Sequence, residues 1–423
     1  MNKIKLLFFG DVPALVPTGF GNVAKNILAQ LQATGKYDIT VLGINYYGDP
    51  HDLPYKIYPA GINNAGDVYG RQRLLDLLRN KKLDFDVLFT LQDTFIMATV
   101  GEAIKKIRDG FITEKIIDGQ IKKIFNKGRN FKWIYYYPID AVPEKEWLDK
   151  SVKFADVAVP YTQYAKTKCL NHIDRQYEVI YHGVDTKNFY PMAKEEKDKF
   201  AEEFFKNNDL RNSFMIVNVN RNQERKGLLY TLLAFKIFRT LIPNSVLYTH
   251  CDVENDRGGN LKKMAARLGI TENWLYPNPE IYKHGRSFSE DYMNGIYNLA
   301  DINISTTFGE GWGLSCSEGM ATKTLGIFPD NTSLTEILAD GRGLLYKSGN
   351  PSTQIIGLGL LDNSIIRPLP NVEDLVDKML WAYSHCDEVK EIEEKAYAWM
   401  LENITWEKIC SDWDQLIEKT LNR

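Results

Sequence analysis

The sequence predicts an α/β protein of two doubly wound domains, each a parallel sheet with helices on both faces. Three observations carry that expectation. Short apolar runs alternate with longer amphipathic ones, the pattern of strand–helix–strand units. The rhythm reaches a charged stretch near residue 194 and then restarts. The 423 residues, 44% of them hydrophobic, exceed what one core usually holds, so two domains of ordinary size are expected.

In the first half the candidate strands are KIKLLFFG, YDITVLGI, FDVLFTL, KWIYYYP and ADVAVP, short and apolar enough to be buried on both faces. Helical patterns run from Gly21 to Thr34 and from Tyr161 to Asn171. YEVIYHGVDTKNFYP reads as a last strand and a glycine turn, with Pro191 closing the half. The charged helix KEEKDKFAEEFFKNN lies at or just after a linker. The second half offers SFMIVNVN, a helix from Gly227 to Thr240, SVLYTHC, a helix from Asn260 to Leu268, ADINIST and LGIFP, with a further helix starting near Ser315. From Val372 to Arg423 the pattern is helical, and Thr405 stands where an N-cap would. The expected division is an N-terminal domain over 1–190, a second over 191–402, and a final helix over 403–423 packing back toward the first. Domains of this kind bind ligands at the carboxyl ends of their strands, so the cleft between them is the default active site.

Composition narrows the function classes. A net charge of −3 with 25% charged residues is a balanced surface, so any basic face must be local. Cys169, Cys251, Cys316, Cys386 and Cys410 are scattered and lack metal-type spacing, which favours a reduced, cytoplasmic setting over a disulfide framework or a zinc site. The apolar run Ile4 to Phe9 is too short for a secretory signal and ends in Gly-Asp. No run approaches the roughly 18 apolar residues of a spanning helix, so contact with a membrane would be made from its surface.

Four stretches carry candidate chemistry. In PTGFGNVAKNI, Gly19, Phe20 and Gly21 fall between the first strand and first helix. Exposed backbone N–H groups there suit a diphosphate, or the glycines merely make a tight turn. In VNRNQERKGL, Arg221 offers a planar fork and Lys226 a mobile point charge that could neutralise a leaving diphosphate; a plain basic surface loop is the alternative. FGEGWGLSCSEGMA sets Glu310 and Glu318 either side of seven residues. Carboxylates accept hydrogen bonds from vicinal hydroxyls, and Gly311 and Gly313 would let the backbone approach a ligand. Glu318 could instead only complement a helix N-terminus. In WIYYYPIDAVP, Asp140 follows a strand and is either a ligand group or a turn-forming aspartate.

Together with IYHGVDTKNFYP and the final WEKI helix, these stretches resemble the retaining GT-B-fold glycosyltransferases of glycosyltransferase family 4, over most of the chain. The resemblance implies two Rossmann-like domains facing a central cleft, with the C-terminal helix crossing back. It implies transfer of a hexose from a nucleotide-diphosphate sugar, a UDP-sugar being favoured, to a hydroxyl acceptor, with no metal and no resident cofactor. Glu310 would contact the donor sugar and Glu318 the nucleotide ribose. Arg221 and Lys226 would hold the diphosphate, aided by backbone amides near Gly313, Leu314 and Ser315. Trp312 then packs to hold the turn, and Cys316 is a small helix residue. Many members carry a histidine where this chain has Asp140, which would bind donor sugar or acceptor in its stead. His182 reads as a turn or interdomain residue rather than a base.

The acceptor is signalled only by residues 103–132, where nine lysines and arginines face three acids. This is a solvated helical face or an anionic acceptor surface, for phospholipid headgroups or nucleic acid. Phage-type modified DNA, a lipid-linked glycan and another glycan all stay open as acceptors. A nucleotide-sugar epimerase of the same fold and a non-catalytic sugar-nucleotide-binding protein are the competing readings.

Overall fold

A computed structural model describes every residue except 1, 14, 16–17, 62–65, 118–119, 206–209, 255–257, 279, 281–287, 350–354, 358–364 and 423. The chain forms two compact units. The first comprises Met1–Ile139, Pro143–His182 and Trp406–Arg423; the second comprises Asp140–Val142 and Gly183–Thr405.

The first unit is built on the strands β1 (Ile4–Asp11), β2 (Tyr37–Ile44), β3 (Lys56–Pro59) and β4 (Val87–Leu91). A hairpin of β5 (Gly110–Ile117) and β6 (Gln120–Lys127) precedes β7 (Lys132–Tyr137) and β8 (Val157–Pro160). The sheet runs in the order β3-β2-β1-β4-β7-β8, and every pairing in it is parallel. All five residues of β4 are buried, as a strand covered on both faces requires. Leu7, Phe9, Leu88, Trp133, Tyr135 and Tyr137 form its core with Leu74, Leu78 and Ile104 from helices. The buried polar handles find partners: Trp133 Nε1 donates to Thr90 Oγ1 at 2.9 Å and the Tyr135 hydroxyl to the Gln92 carbonyl at 3.1 Å. The C-terminal helix Trp406–Thr420 belongs to this unit, packed on the helix Gly19–Ala33, with the Trp413 ring 4.7 Å from both Phe89 and Tyr136.

The second unit repeats the plan with β9 (Phe214–Val219), β10 (Ser245–His250), β11 (Trp274–Leu275), β12 (Ile302–Ile304), β13 (Leu325–Pro329) and β14 (Leu344–Tyr346), in the order β11-β10-β9-β12-β13-β14 and all parallel. A small antiparallel pair, β15 (Ile355–Gly357) and β16 (Ile366–Pro368), follows. With the hairpin set aside, each unit shows the strand order of a Rossmann fold, which reverses direction between its first and fourth strands. The charged helix Lys194–Phe204 lies inside the second unit; the last residues of its KEEKDKFAEEFFKNN stretch, 206–208, fall outside the described residues.

Two expectations are corrected. YEVIYHG is not a strand: Val184 makes only an isolated bridge to Thr405, and the Tyr136 hydroxyl donates to the Ile180 carbonyl at 3.0 Å, occupying an acceptor a ladder would need. The basic segment is not helical throughout. Its helix Gly101–Asp109 stops at Gly110, whose φ of 87° no helix tolerates, and the isoleucine-rich remainder forms the hairpin, with residues 118–119 outside the described set.

Candidate functional site

The site candidates of the second unit follow β9 and β12, the adjacent strands between which the order reverses. Ligands of such sheets bind beyond the strand carboxyl ends at that place. After β9 a single 3-10 turn, Glu224–Lys226, leads through Gly227 into the helix Leu228–Leu241. After β12 the segment from Ser305 to Gly313 leads into the helix Leu314–Ala321. The two loops are stitched together by short polar contacts. Phe308 N donates to the Arg225 carbonyl at 2.7 Å and Thr306 Oγ1 to the Gly227 carbonyl at 2.8 Å. Beneath them a buried ladder runs from Thr231 through Asn218 and Asn220 to Ser305. Gly227 has to be glycine: its φ is 60°, and a Cβ there would lie 2.5 Å from the Thr306 carbonyl oxygen.

This stitching gathers a charge cluster. Lys226 Nζ donates to Glu310 Oε1, and both side chains are only 12% exposed. The Arg225 guanidinium lies 3.8 Å from Glu310 and 3.6 Å from Asp140, bridging the two carboxylates, and also donates to the Gly309 carbonyl at 2.9 Å. Arg367 on β16 is buried and donates to the Asp140 carbonyl at 2.6 Å and to its Oδ1 at 3.1 Å. Burial alone would raise the Asp140 carboxyl, but Arg367, then Arg225 and Lys226, hold it below the usual range. For Glu310 the burial cost is likewise outweighed by Lys226 and then Arg225, so it is firmly ionised. Burial pulls Lys226 down to about 8, opposed by Glu310 and reinforced by Arg225.

The glycine-flanked turn is held from behind. Glu310 N donates to Thr332 Oγ1 at 2.9 Å, and the Ser333 hydroxyl lies 2.8 Å from the Glu310 carbonyl and 2.7 Å from that of Trp312. Trp312 is buried, with Nε1 donating to Ser317 Oγ at 3.2 Å, and Cys316 is buried with its thiol pushed above the usual range. Gly311 lies between these anchored residues and is half-buried. Gly313, at φ 108°, opens the helix, so Leu314 and Ser315 supply its first-turn N–H groups, both half-buried. Glu318 sits one turn on, where it accepts from the Tyr297 hydroxyl at 2.8 Å; burial raises its carboxyl to about 7, with that hydrogen bond opposing.

Several predicted residues are placed elsewhere. Arg221 is exposed at the start of the β9 loop, and the cation beside Lys226 that meets Glu310 is Arg225. Sequence reasoning missed Arg225 because one loop holds both arginines; adjacency to Lys226 was the available signal. Arg367 had none. Gly19, Phe20 and Gly21 open a helix in the first unit, where the Gly21 N–H is taken by the N-cap Thr18 at 2.9 Å. Thr18 in turn donates to the buried Asp11 at 2.5 Å. His182 is buried with Nδ1 2.6 Å from the Tyr136 hydroxyl, and burial lowers it to about 3, so its ring is uncharged at neutral pH. Among the described residues no group of three or more His, Cys, Asp or Glu could hold a metal ion, and no helix is long and apolar enough to cross a membrane.

Comparison with known proteins agrees with this geometry at the level of the fold. No protein-family model matches the chain. Over 239 residues, 53% of this chain, it is 26% identical to EpsD of Bacillus subtilis (strain 168), a glycosyltransferase by provisional name, and the match spans about half, 55%, of that relative. Among solved structures it is similar to a sucrose-phosphate synthase from Thermosynechococcus elongatus, with a TM-score of 0.75, 14% identity, and 99% and 100% of the two chains covered. It is also similar to Anabaena HepE in complex with UDP and glucose, with a TM-score of 0.69, 13% identity, and 98% and 100% covered. The chain therefore has two parallel-sheet Rossmann-like units in the GT-B fold of these glycosyltransferase structures.

Proposed function

We propose that the chain is a retaining, metal-independent glycosyltransferase that moves a hexose from a nucleotide-diphosphate sugar to a hydroxyl acceptor. The carrying observation is the Glu310–Lys226–Arg225 cluster beyond the carboxyl ends of β9 and β12, where a sheet of this order takes its ligand. HepE, a structural neighbour, is seen with UDP and glucose, which favours a UDP-sugar as donor.

In this reading Arg225 takes the diphosphate role that the sequence assigned to Arg221, beside Lys226. Their charges, with the first-turn amides Leu314 and Ser315, stabilise the diphosphate as it leaves and negative charge builds. Glu310, kept ionised by the same cations, accepts hydrogen bonds from sugar hydroxyls, and Glu318 accepts from the ribose. Asp140, fixed by Arg367, binds donor sugar or acceptor. The acceptor hydroxyl attacks on the face from which the diphosphate departs, and the departing phosphate oxygen takes its proton. The competing epimerase and non-catalytic readings leave Glu310 and the paired cations without a transfer to serve.

The test is a panel of nucleotide sugars, scored for thermal stabilisation and for release of nucleoside diphosphate, with the anomeric configuration of the product read by NMR. The proposal expects one donor class to stabilise the fold by mass action and to release its diphosphate, giving a product with the donor's configuration. An inverted product removes the retaining mechanism. Stabilisation without any release leaves a binding protein.

A further inference from the structure

The hairpin β5–β6 takes no part in the site described above, and it is unusual for what it exposes. Its strands pair antiparallel from Gly110–Lys127 to Ile117–Gln120, forming a two-stranded sheet separate from the main one. In that register Ile112, Phe125 and Ile121 share one face with Lys123 and Lys127. Ile112 is 63% exposed, Phe125 65% and Ile121 69%. An isolated two-stranded ribbon is marginal in water, and apolar groups gathered on one open face mark a surface that something covers.

The root of the ribbon is fixed to the first unit. A Cβ on Gly110 would lie 2.6 Å from the Asn126 carbonyl oxygen, and one on Gly128 would lie 2.1 Å from that of Arg108, so the strands are pinched together where they leave the helix. Arg129, just past β6, donates to the carbonyls of Leu78 at 2.7 Å, Asn80 at 2.9 Å and Leu83, and lies over the Phe85 ring. From this root the eight-residue strands span about 25 Å.

Charge decides among occupants. The hairpin has four lysines, Lys115, Lys122, Lys123 and Lys127, against Glu114 and Asp118, in a chain whose net charge is −3. A second copy would set lysine against lysine. A nucleic acid would use the lysines and stack on Phe125 but leave Ile112 and Ile121 in water. An anionic lipid surface satisfies both sets, since aliphatic groups enter the headgroup boundary while lysines meet phosphates.

We propose that the hairpin β5–β6 is an interfacial anchor that docks this chain on an anionic bilayer, seating Ile112, Ile121 and Phe125 at headgroup depth with Lys123 and Lys127, on the same face, against the lipid phosphates. The full-length protein is sedimented with phosphatidylcholine vesicles, with and without phosphatidylglycerol. Binding is expected to need phosphatidylglycerol and to weaken with salt. The triple variant I112S/I121S/F125S and the double variant K123E/K127E each lower the partition by about tenfold or more, with melting temperature unchanged because these positions are exposed. Absence of binding to the anionic vesicles, or equal binding by both variants, overturns the proposal. So does a dimer, or a complex with duplex DNA, that the same substitutions abolish while vesicle binding is missing, since the surface would then belong to another occupant.

Discussion

Lys226 and Glu318 are two residues of the candidate site whose ionisation is displaced toward neutral pH, and they predict opposite kinds of behaviour. Lys226 is brought down to about 8 by burial, so the free protein loses this cation as pH rises through 8. Under the proposed function kcat/KM falls along that limb, and Lys226→Arg, which does not deprotonate, abolishes the limb even if the overall rate is lower. A pH–rate profile checks this; an alkaline limb that survives in Lys226→Arg assigns it to another group. Glu318 is displaced upward to about 7, again first by burial. From its ordinary value of 4.5 up to about 7, the folded chain holds a proton that the unfolded chain has released, so its stabilisation is present at acid pH and lost as pH rises through 7. Glu318→Gln should therefore match wild type near pH ~4 and exceed it by about 1–3 kcal/mol near pH ~8. Urea unfolding at the two pH values measures it, and an unchanged difference between them would show that the carboxyl titrates normally.

At the scale of elements, the site depends on how closely the loops after β9 and β12 approach their neighbours. Gly309 is the tightest point, since a Cβ there would sit 2.1 Å from the Asp140 carbonyl oxygen and 2.9 Å from Arg367 Nη1. Gly309→Ala must push Asp140 and Arg367 aside, and we expect a loss of about 1–3 kcal/mol in stability, with a larger proportional loss of turnover than of donor binding. Chemical unfolding together with titration of a nucleotide sugar separates the two; a variant as active and stable as wild type would mean that Asp140 need not be held there. The strands at this scale were legible because burial on both faces leaves near-continuous apolar runs, as in KIKLLFFG and SFMIVNVN. The hairpin was not, because lysines at 105, 106, 122 and 123 suggested a helical face; the β-rich runs either side of Asp118-Gly119 were the better signal. Strand β3 and the two-residue β11 are too short to carry any periodicity at all.

For the whole molecule, the doubled α/β plan could be read from the restart of the strand–helix rhythm. The site could be read only where a motif placed its residues locally. Glu310 and Lys226 stand in connections, and Glu318 on the helix, that directly follow strands whose ends are evident, whereas Arg367 reaches Asp140 across 227 positions of sequence, and no local pattern announces such a contact. Arg225 meets the Glu310 loop through contacts equally remote in sequence, its carbonyl accepting from Phe308 N and its guanidinium donating to the Gly309 carbonyl, so its place beside Lys226 is set by packing between loops rather than by its own loop. The most direct test of the central claim compares wild type with Glu310→Gln, using whichever nucleotide sugar raises the melting temperature. The account predicts that both proteins are stabilised by that donor, while release of its nucleoside diphosphate falls by roughly a hundredfold or more in the variant. Release at the wild-type rate by Glu310→Gln would contradict it.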